Sequence, residues 1–223
     1  MSSLTVGGVR GFVCDNRGMT EIRSKLLWGA IALCAAVAGF WLARELHSTS
    51  PQLASGTWFP QARELREFTL TDQAGRPLTL SSLEGRPTLV FFGFTHCPDV
   101  CPTTLATLTR ARKASGLKKL RILLVSVDPA RDTPEVLGKY VHAFAPDLLG
   151  ATGTQEAIDA TSRDFGVAVQ KVELPNGDYT MDHSAAVFLL NDHARIAAVF
   201  TAPLDVQALA ADLEAVGPKL ASP

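Results

Sequence analysis

Two thiols four positions apart, Cys97 and Cys101, are the side chains of this chain best suited to chemistry, in the stretch Thr88 to Thr104 that reads TLVFFGFTHCPDVCPTT. The run Thr88 to Phe92 is short, β-branched and aromatic with no periodic polar break, the pattern of a strand buried on both faces. Gly93 lets the chain leave the sheet. Asp99 is a good cap for a helix beginning near Val100, whose apolar positions Leu105 and Leu108 follow at helical spacing. Pro102 then falls in the first turn, where no helical N–H partner is needed. Both thiols are therefore expected between a strand end and a helix N-terminus, where the helix dipole favours thiolate and should make them titrate below a free cysteine. Cys-x-x-x-Cys near a helical turn puts two sulfurs on one face, able to chelate one soft ion or to close a disulfide. A purely stabilising bridge is the weaker reading, because so short a loop removes little chain entropy.

An imidazole is the natural third donor, and five histidines compete for the part. His47 falls in a polar linker, His142 on a helix face and His193 in a hairpin turn, and each reads as solvated or structural. His96 adjoins Cys97, where its charged form would favour the thiolate, but backbone geometry makes it an awkward ligand for an ion held by both sulfurs. His183, in Thr180-Met181-Asp182-His183-Ser184-Ala185, immediately precedes an apolar strand and is the better candidate, with Asp182 placed to orient its ring. A histidine merely packed at a strand start remains the alternative. Two thiolates and one imidazole select Cu(I) and can hold Cu(II) or Zn(II); without a fourth ligand a closed structural zinc site is disfavoured, so an open, exchangeable copper site is expected.

The elements that must position these residues follow from pattern. Phe68 to Thr71 and Pro77 to Leu80 flank Asp72-Gln73-Ala74-Gly75 as a hairpin. A helix from about Pro102 to Ser115 leads through the basic patch Lys118, Lys119 and Arg121, read as a solvated loop, into a buried strand Ile122 to Val127. Asp132 or Thr133 caps a helix from Pro134 to Phe144. Because the second strand neighbours the first, its carboxyl-end loop should border the cysteines. A helix spans about 154–165, hairpins turn at Pro175-Asn176-Gly177-Asp178 and Asn191-Asp192-His193-Ala194, and an amphipathic helix from Leu204 to Val216 closes the chain. Strands alternating with helices, then a terminal hairpin and helix, imply one α/β layer fold.

The 223 residues allow one ordinary domain plus appendages, and a net charge of −1 argues against nucleic-acid binding. Of four cysteines, Cys14 lies in the N-terminal tail and Cys34 in an apolar segment, which excludes a multi-disulfide framework. Leu26 to Ala43 carries no charge over 18 residues, roughly 27 Å of helix, close to a bilayer's hydrocarbon thickness. Trp28 and Trp41 suit the two interfaces, and the preceding Arg10, Arg17, Arg23 and Lys25 orient the N-terminus to the cytoplasm. The expected organisation is a cytoplasmic tail over 1–25, a transmembrane anchor over 26–43, a linker over 44–57 and an exported domain over 58–223. An uncleaved anchor is preferred to a signal peptide, since Arg44 and Glu45 follow at once. Met19 is a plausible alternative start.

Three separated segments, FFGFTHCPDVCP from Phe91 to Pro102, SVDPARDTP from Ser126 to Pro134 and DHSAAVFLLN from Asp182 to Asn191, resemble the Sco/SenC family in order and content. That resemblance covers about Gly56 to Val216. It implies a thioredoxin-like fold, a central mixed sheet flanked by helices behind an N-terminal transmembrane helix, with Cys97, Cys101 and His183 as copper ligands. It further implies a membrane-anchored metallochaperone rather than an enzyme, fed by a copper donor protein and serving the binuclear copper centre of cytochrome c oxidase subunit II. The basic flank is a poor transit peptide, so the expected location is a bacterial inner membrane with the domain in the periplasm. Phe94 stands where many family members have tyrosine, which should affect packing or a hydrogen bond near the site but not ligation. The competing function is a membrane-anchored thiol-disulfide oxidoreductase, in which Cys97 and Cys101 are redox-active.

Overall fold

An uncharged run this long can be satisfied by a helix that pairs its own backbone groups, and residues Arg17–Leu46 form one helix, α1, covering the whole run. The computed structural model describes residues 17–46, 51–175 and 177–220, and two compact units divide it, residues 1–49 and 50–223. Side chains of α1 are described from Leu27 to Trp41, and every one is exposed, the large apolar Leu27, Trp28, Leu33 and Phe40 included. Among the described residues no helix is long and apolar enough to cross a membrane. Leu26, Leu42 and Ala43, the ends of the expected anchor, lie outside the described side chains, and Cys14 and His47 lie outside the described residues.

In the second unit the chain runs through β1 (Gly56–Arg63), β2 (Thr69–Asp72), β3 (Pro77–Thr79), β4 (Thr88–Gly93), α2 (Val100–Ala114), β5 (Arg121–Ser126) and α3 (Pro134–His142). It continues through β6 (Leu149–Thr152), α4 (Gln155–Phe165), β7 (Val169–Glu173), β8 (Tyr179–His183), β9 (Ala186–Leu190), β10 (Ile196–Thr201) and α5 (Val206–Val216). Eight of these strands form one mixed sheet in the order β1-β10-β9-β4-β5-β6-β2-β3, while β7 and β8 form a separate two-stranded sheet. β4 and β5 pair in parallel, as do β5 and β6, and β9 lies antiparallel to β4. This is the expected α/β fold with a central mixed sheet. All six residues of β4 are buried, as the uninterrupted apolar run requires.

Capping residues set where the helices begin. Thr133 Oγ1 accepts from the Val136 amide at 3.3 Å with Pro134 next to it, and Thr154 Oγ1 accepts from Ala157 at 3.2 Å. Asp132, the other expected cap, does different work. It is fully buried, and its carboxylate accepts from the Thr95 amide at 3.0 Å, the Thr95 hydroxyl at 2.5 Å and the Ser126 hydroxyl at 2.6 Å. It thus ties the loop after β5 to the loop after β4. Arg121 is also not part of a solvated loop: its guanidinium donates to the carbonyls of Leu83 and Arg86 and to Thr88 Oγ1, pinning the approach to β4.

Two strands have no counterpart in the sequence pattern. β1 begins inside the expected linker and pairs with β10, and its entry is fixed by Asp212 of α5, which accepts from the amides of Ala54 at 2.8 Å and Ser55 at 2.7 Å. A Cβ at Gly56 would stand 2.3 Å from the Val199 carbonyl oxygen, so the strand can approach β10 only as glycine. β6 is short and holds Gly150, whose added Cβ would meet Leu137 of α3 at 2.7 Å.

Removing the Asp132 carboxylate would strand the Ser126 hydroxyl and the Thr95 amide. Asp132→Ala should therefore cost about 3 kcal/mol in urea unfolding. A loss within 0.5 kcal/mol of zero would show that the carboxylate does not hold these two loops.

Candidate functional site

The thiols sit where β4 ends and α2 begins. Cys101 is the second residue of α2 and is fully buried; Cys97, before the helix, is half-buried. Both are free thiols. The expected Asp99 cap has its position but not its bond: its backbone is not in the extended conformation of a capping residue, and its carboxylate accepts from the Thr103 hydroxyl at 3.3 Å instead. The sulfur of Cys97 takes the capping place. It accepts from the Cys101 amide at 3.4 Å, so an orphan donor of the first helical turn points at a thiol.

Burial changes the electrostatics expected for these cysteines. Desolvation pushes the Cys101 thiol well above its ordinary value; a Phe94 backbone hydrogen bond opposes this, while the Cys97 sulfur and the Asp132 carboxylate push the same way. The expectation that Cys101 titrates below a free cysteine is thus overturned, because a side chain with no exposed surface loses more in solvation than the helix terminus returns. Nearby, burial raises the Tyr140 phenol on α3, helped by both thiols and Asp132, and its hydroxyl is buried without a hydrogen-bond partner among the described residues.

His183 reaches this place as the last residue of β8. Its Nε2 stands 3.6 Å from Cys101 Sγ. Its Nδ1 lies 3.3 Å from the Ser184 carbonyl, which can only accept, so Nδ1 carries the proton and Nε2 presents its lone pair to the sulfur. The orienting group is therefore this carbonyl and not Asp182, whose side chain is exposed. Burial lowers the His183 pKa, with the Ser184 bond and Asp182 opposing, and keeps the ring neutral at pH 7. Phe91 and Phe94 hold it edge-on, each with ring centroids 6.0 Å away.

Gly93 has a steric role beyond leaving the sheet. It is still paired with Ser126 as the last residue of β4, and a Cβ there would meet Cys101 Sγ at 3.0 Å and Phe91 at 3.0 Å. His96, His142 and His193 are exposed, and His96 Nδ1 contacts Thr95 Oγ1 at 3.1 Å. Of the sequence candidates, then, Cys97 with Cys101 and Cys101 with His183 are in contact. Among the described residues no three His, Cys, Asp or Glu side chains are gathered closely enough to form a metal site as they stand. The donor set, two sulfurs and a neutral imidazole nitrogen, nonetheless suits a soft ion. An open groove of about 350 Å³ lined by Val169, Gln170, Asp182 and His183 borders it, whereas a larger one of about 570 Å³ by Arg66, Phe68 and Arg163 contains none of the three.

Sequence reasoning missed Asp132 as the anchor of the cysteine loop and Gly93 as the space for the sulfur. Asp132 carried a signal, since an acidic residue just before Thr-Pro is one more than a cap needs.

The SCO1/SenC family model matches residues 59–217. A mitochondrial protein SCO2 of Saccharomyces cerevisiae is 39% identical over 129 residues, 56% of this chain and 43% of that protein, so the chain spans less than half of that relative's length. Among solved structures, Arabidopsis thaliana ScoI with copper bound superposes with a TM-score of 0.67 at 32% identity, covering 70% of this chain and 98% of the other. Bradyrhizobium japonicum ScoI with copper bound gives a TM-score of 0.62 at 41% identity, over 67% and 97%. Both share the mixed α/β sheet of the thioredoxin-like class. With a family match that runs from the first strand to the end of the last helix, this chain belongs to the SCO1/SenC family.

Proposed function

We propose that this chain is a membrane-anchored copper metallochaperone whose ligands are Cys97, Cys101 and His183. The contact of 3.6 Å between Cys101 Sγ and the deprotonated Nε2 of His183 carries the reading, because it joins two segments 82 residues apart into one soft donor set. The copper-bound relatives support copper as the ion, and the soft donor set favours Cu(I), with Cu(II) within reach of the same donors. The task is assembly of cytochrome c oxidase: the chain takes copper from a donor protein and passes it to the binuclear centre of subunit II by thiolate exchange. The anchor is the uncharged run over 26–43, supported by the exposure of its apolar side chains from Leu27 to Trp41. It places residues 1–25 in the bacterial cytoplasm, 44–57 as a linker and the domain over 58–223 in the periplasm.

One observation favours a second reading, a thiol-disulfide oxidoreductase. Cys97 is accessible and Cys101 is buried behind it, the asymmetry of an attacking and a resolving thiol. Cys97 thiolate would attack a partner disulfide, and Cys101 would displace the partner as a dithiol, leaving a Cys97–Cys101 disulfide.

Anaerobic Cu(I) titration of the reduced chain with X-ray absorption should give one site of two sulfurs and one nitrogen. A Cys97→Ser, Cys101→Ser variant serves to subtract copper held by Cys14 and Cys34. His183→Ala should remove the nitrogen and weaken binding about tenfold or more while sparing reduction of a partner disulfide. Copper affinity unchanged in that variant would move the function to the oxidoreductase.

Copper affinity should also rise with pH. Binding displaces the proton that burial retains on Cys101, so each pH unit between 6 and 8 should strengthen binding about tenfold from this thiol alone. A protonated His183 would add to the same slope, and burial, by lowering its pKa, reduces that addition. A flat profile would show that Cys101 is already ionised.

Gly93→Ala should press on the Cys101 sulfur and cost roughly 1–3 kcal/mol of stability, together with weaker copper retention. A variant with wild-type stability and copper retention would show that the sulfur has room to move.

A further inference from the structure

His183 occupies one end of β8 and Tyr179 the other. Their two-stranded sheet shares no backbone ladder with the eight-stranded sheet among the described residues. The ties beside the imidazole, Ser184 N–H to the Ala168 carbonyl at 3.1 Å and Ala168 N–H to Ser184 Oγ at 3.3 Å, stay within the hairpin and do not fix it to the thiols. Contacts of the ring with Phe91 and Phe94 are apolar and only weakly directional.

Directional anchoring lies at the other end. Tyr179 Oη donates to Asp128 Oδ1 at 2.9 Å, and Asp128 is only 2% exposed. The Arg131 guanidinium covers the Tyr179 ring at 3.8 Å from its centroid and donates to the Tyr179 carbonyl at 3.1 Å, while its Nε holds Asp128 Oδ2 at 2.5 Å. Lys171 lies over the same ring at 4.0 Å. Asp128 and Arg131 belong to the loop after β5, the same loop whose Asp132 fixes Thr95 before the first thiol. One loop therefore holds both the cysteine segment and the base of the histidine hairpin. From Tyr179 to His183 the extended strand spans about 13 Å, long enough for a small tilt at the base to carry Nε2 out of reach of Cys101.

We propose that Tyr179, clamped by Asp128 and Arg131, is a positioning residue for His183: it sets whether the imidazole meets the cysteine sulfurs, and so governs copper retention. The inference rests on the reading of Cys97, Cys101 and His183 as copper ligands. Tyr179 touches no metal itself. Its effect passes through the imidazole alone, which separates it from a general contributor to stability.

The test uses the full-length reduced chain loaded with Cu(I), following release to a competing Cu(I) chelator and the nitrogen contribution to the X-ray absorption spectrum. Tyr179→Leu, which loses both the ring and the hydroxyl, should release copper about tenfold or more faster than wild type and lose nitrogen scattering. Tyr179→Phe, which keeps the ring under Arg131, should fall between the two, and serves if the leucine variant does not fold. Lys139→Met, which removes an exposed pair with Glu135 and touches no part of the clamp, should match wild type. In a His183→Ala background neither Tyr179 substitution should accelerate release further, since the residue acts only through the imidazole. Equal acceleration in both backgrounds, or wild-type release with nitrogen scattering retained, would overturn the proposal. If wild type and His183→Ala already share the same ligation, the ligand reading itself has failed and the positioning role goes with it.

Discussion

One buried carboxylate holds the working end of this domain together. Two parallel strands, β4 and β5, deliver their loops to the same edge of the sheet, and each loop leaves backbone amides and hydroxyls that have no place in a ladder. Asp132 gathers three of these donors, one hydroxyl from the strand end at Ser126 and the amide and hydroxyl of Thr95. An ionised carboxylate without exposed surface is stable only when so satisfied. Its presence fixes the loop that carries Cys97, and through Cys97 the first turn of α2 and the burial of Cys101. The cost falls on the thiols, because the same negative charge disfavours thiolate at Cys101.

That tension has chemical meaning for the copper reading. A thiol kept protonated by burial is a poor nucleophile toward stray oxidants yet becomes an excellent ligand once a cation compensates its charge. Cys97, half-buried and already accepting an N–H from the helix, is the sulfur that an incoming partner meets first. An accessible donor, a buried donor and a neutral imidazole with its lone pair turned inward form a graded set. On the proposed ligation, an incoming donor would meet the accessible sulfur while the buried sulfur stayed in place.

Much of this was legible in the sequence, and the reasons for the misses are physical. The unbroken apolar run of β4, the Thr-Pro start of α3 and the Gly-containing turns carry their structure locally, and all lie where pattern put them. β1 could not be read that way. Gly56 to Arg63 alternates poorly and contains Pro60, and it is a strand because β10 offers an edge and Asp212, more than 150 residues away, takes its leading amides. β6 has four residues and a glycine that α3 requires, too little signal for any periodicity. At the site, residue types gave the donors, but the fate of their protons depended on burial. For Cys101 the helix terminus points to a lowered pKa where desolvation decides, and for His183 the adjacent Asp182 suggests a partner where the Ser184 carbonyl serves.

The mounting of the donors is itself informative. Cys97 and Cys101 lie in the loop and first helical turn that follow β4 of the central sheet, whereas His183 belongs to a hairpin outside that sheet's ladder. Elements with fewer shared backbone hydrogen bonds open at lower free energy than the core that carries them. A carrier that must both hold an ion and surrender it needs one ligand that can leave without unfolding the others. On the proposed ligation, Cys97 and Cys101, held beside the end of β4, would keep two soft donors on Cu(I) if the imidazole withdrew, leaving room for an incoming ligand. Had the histidine been built into β4 or β5, release would have required disruption of the core itself.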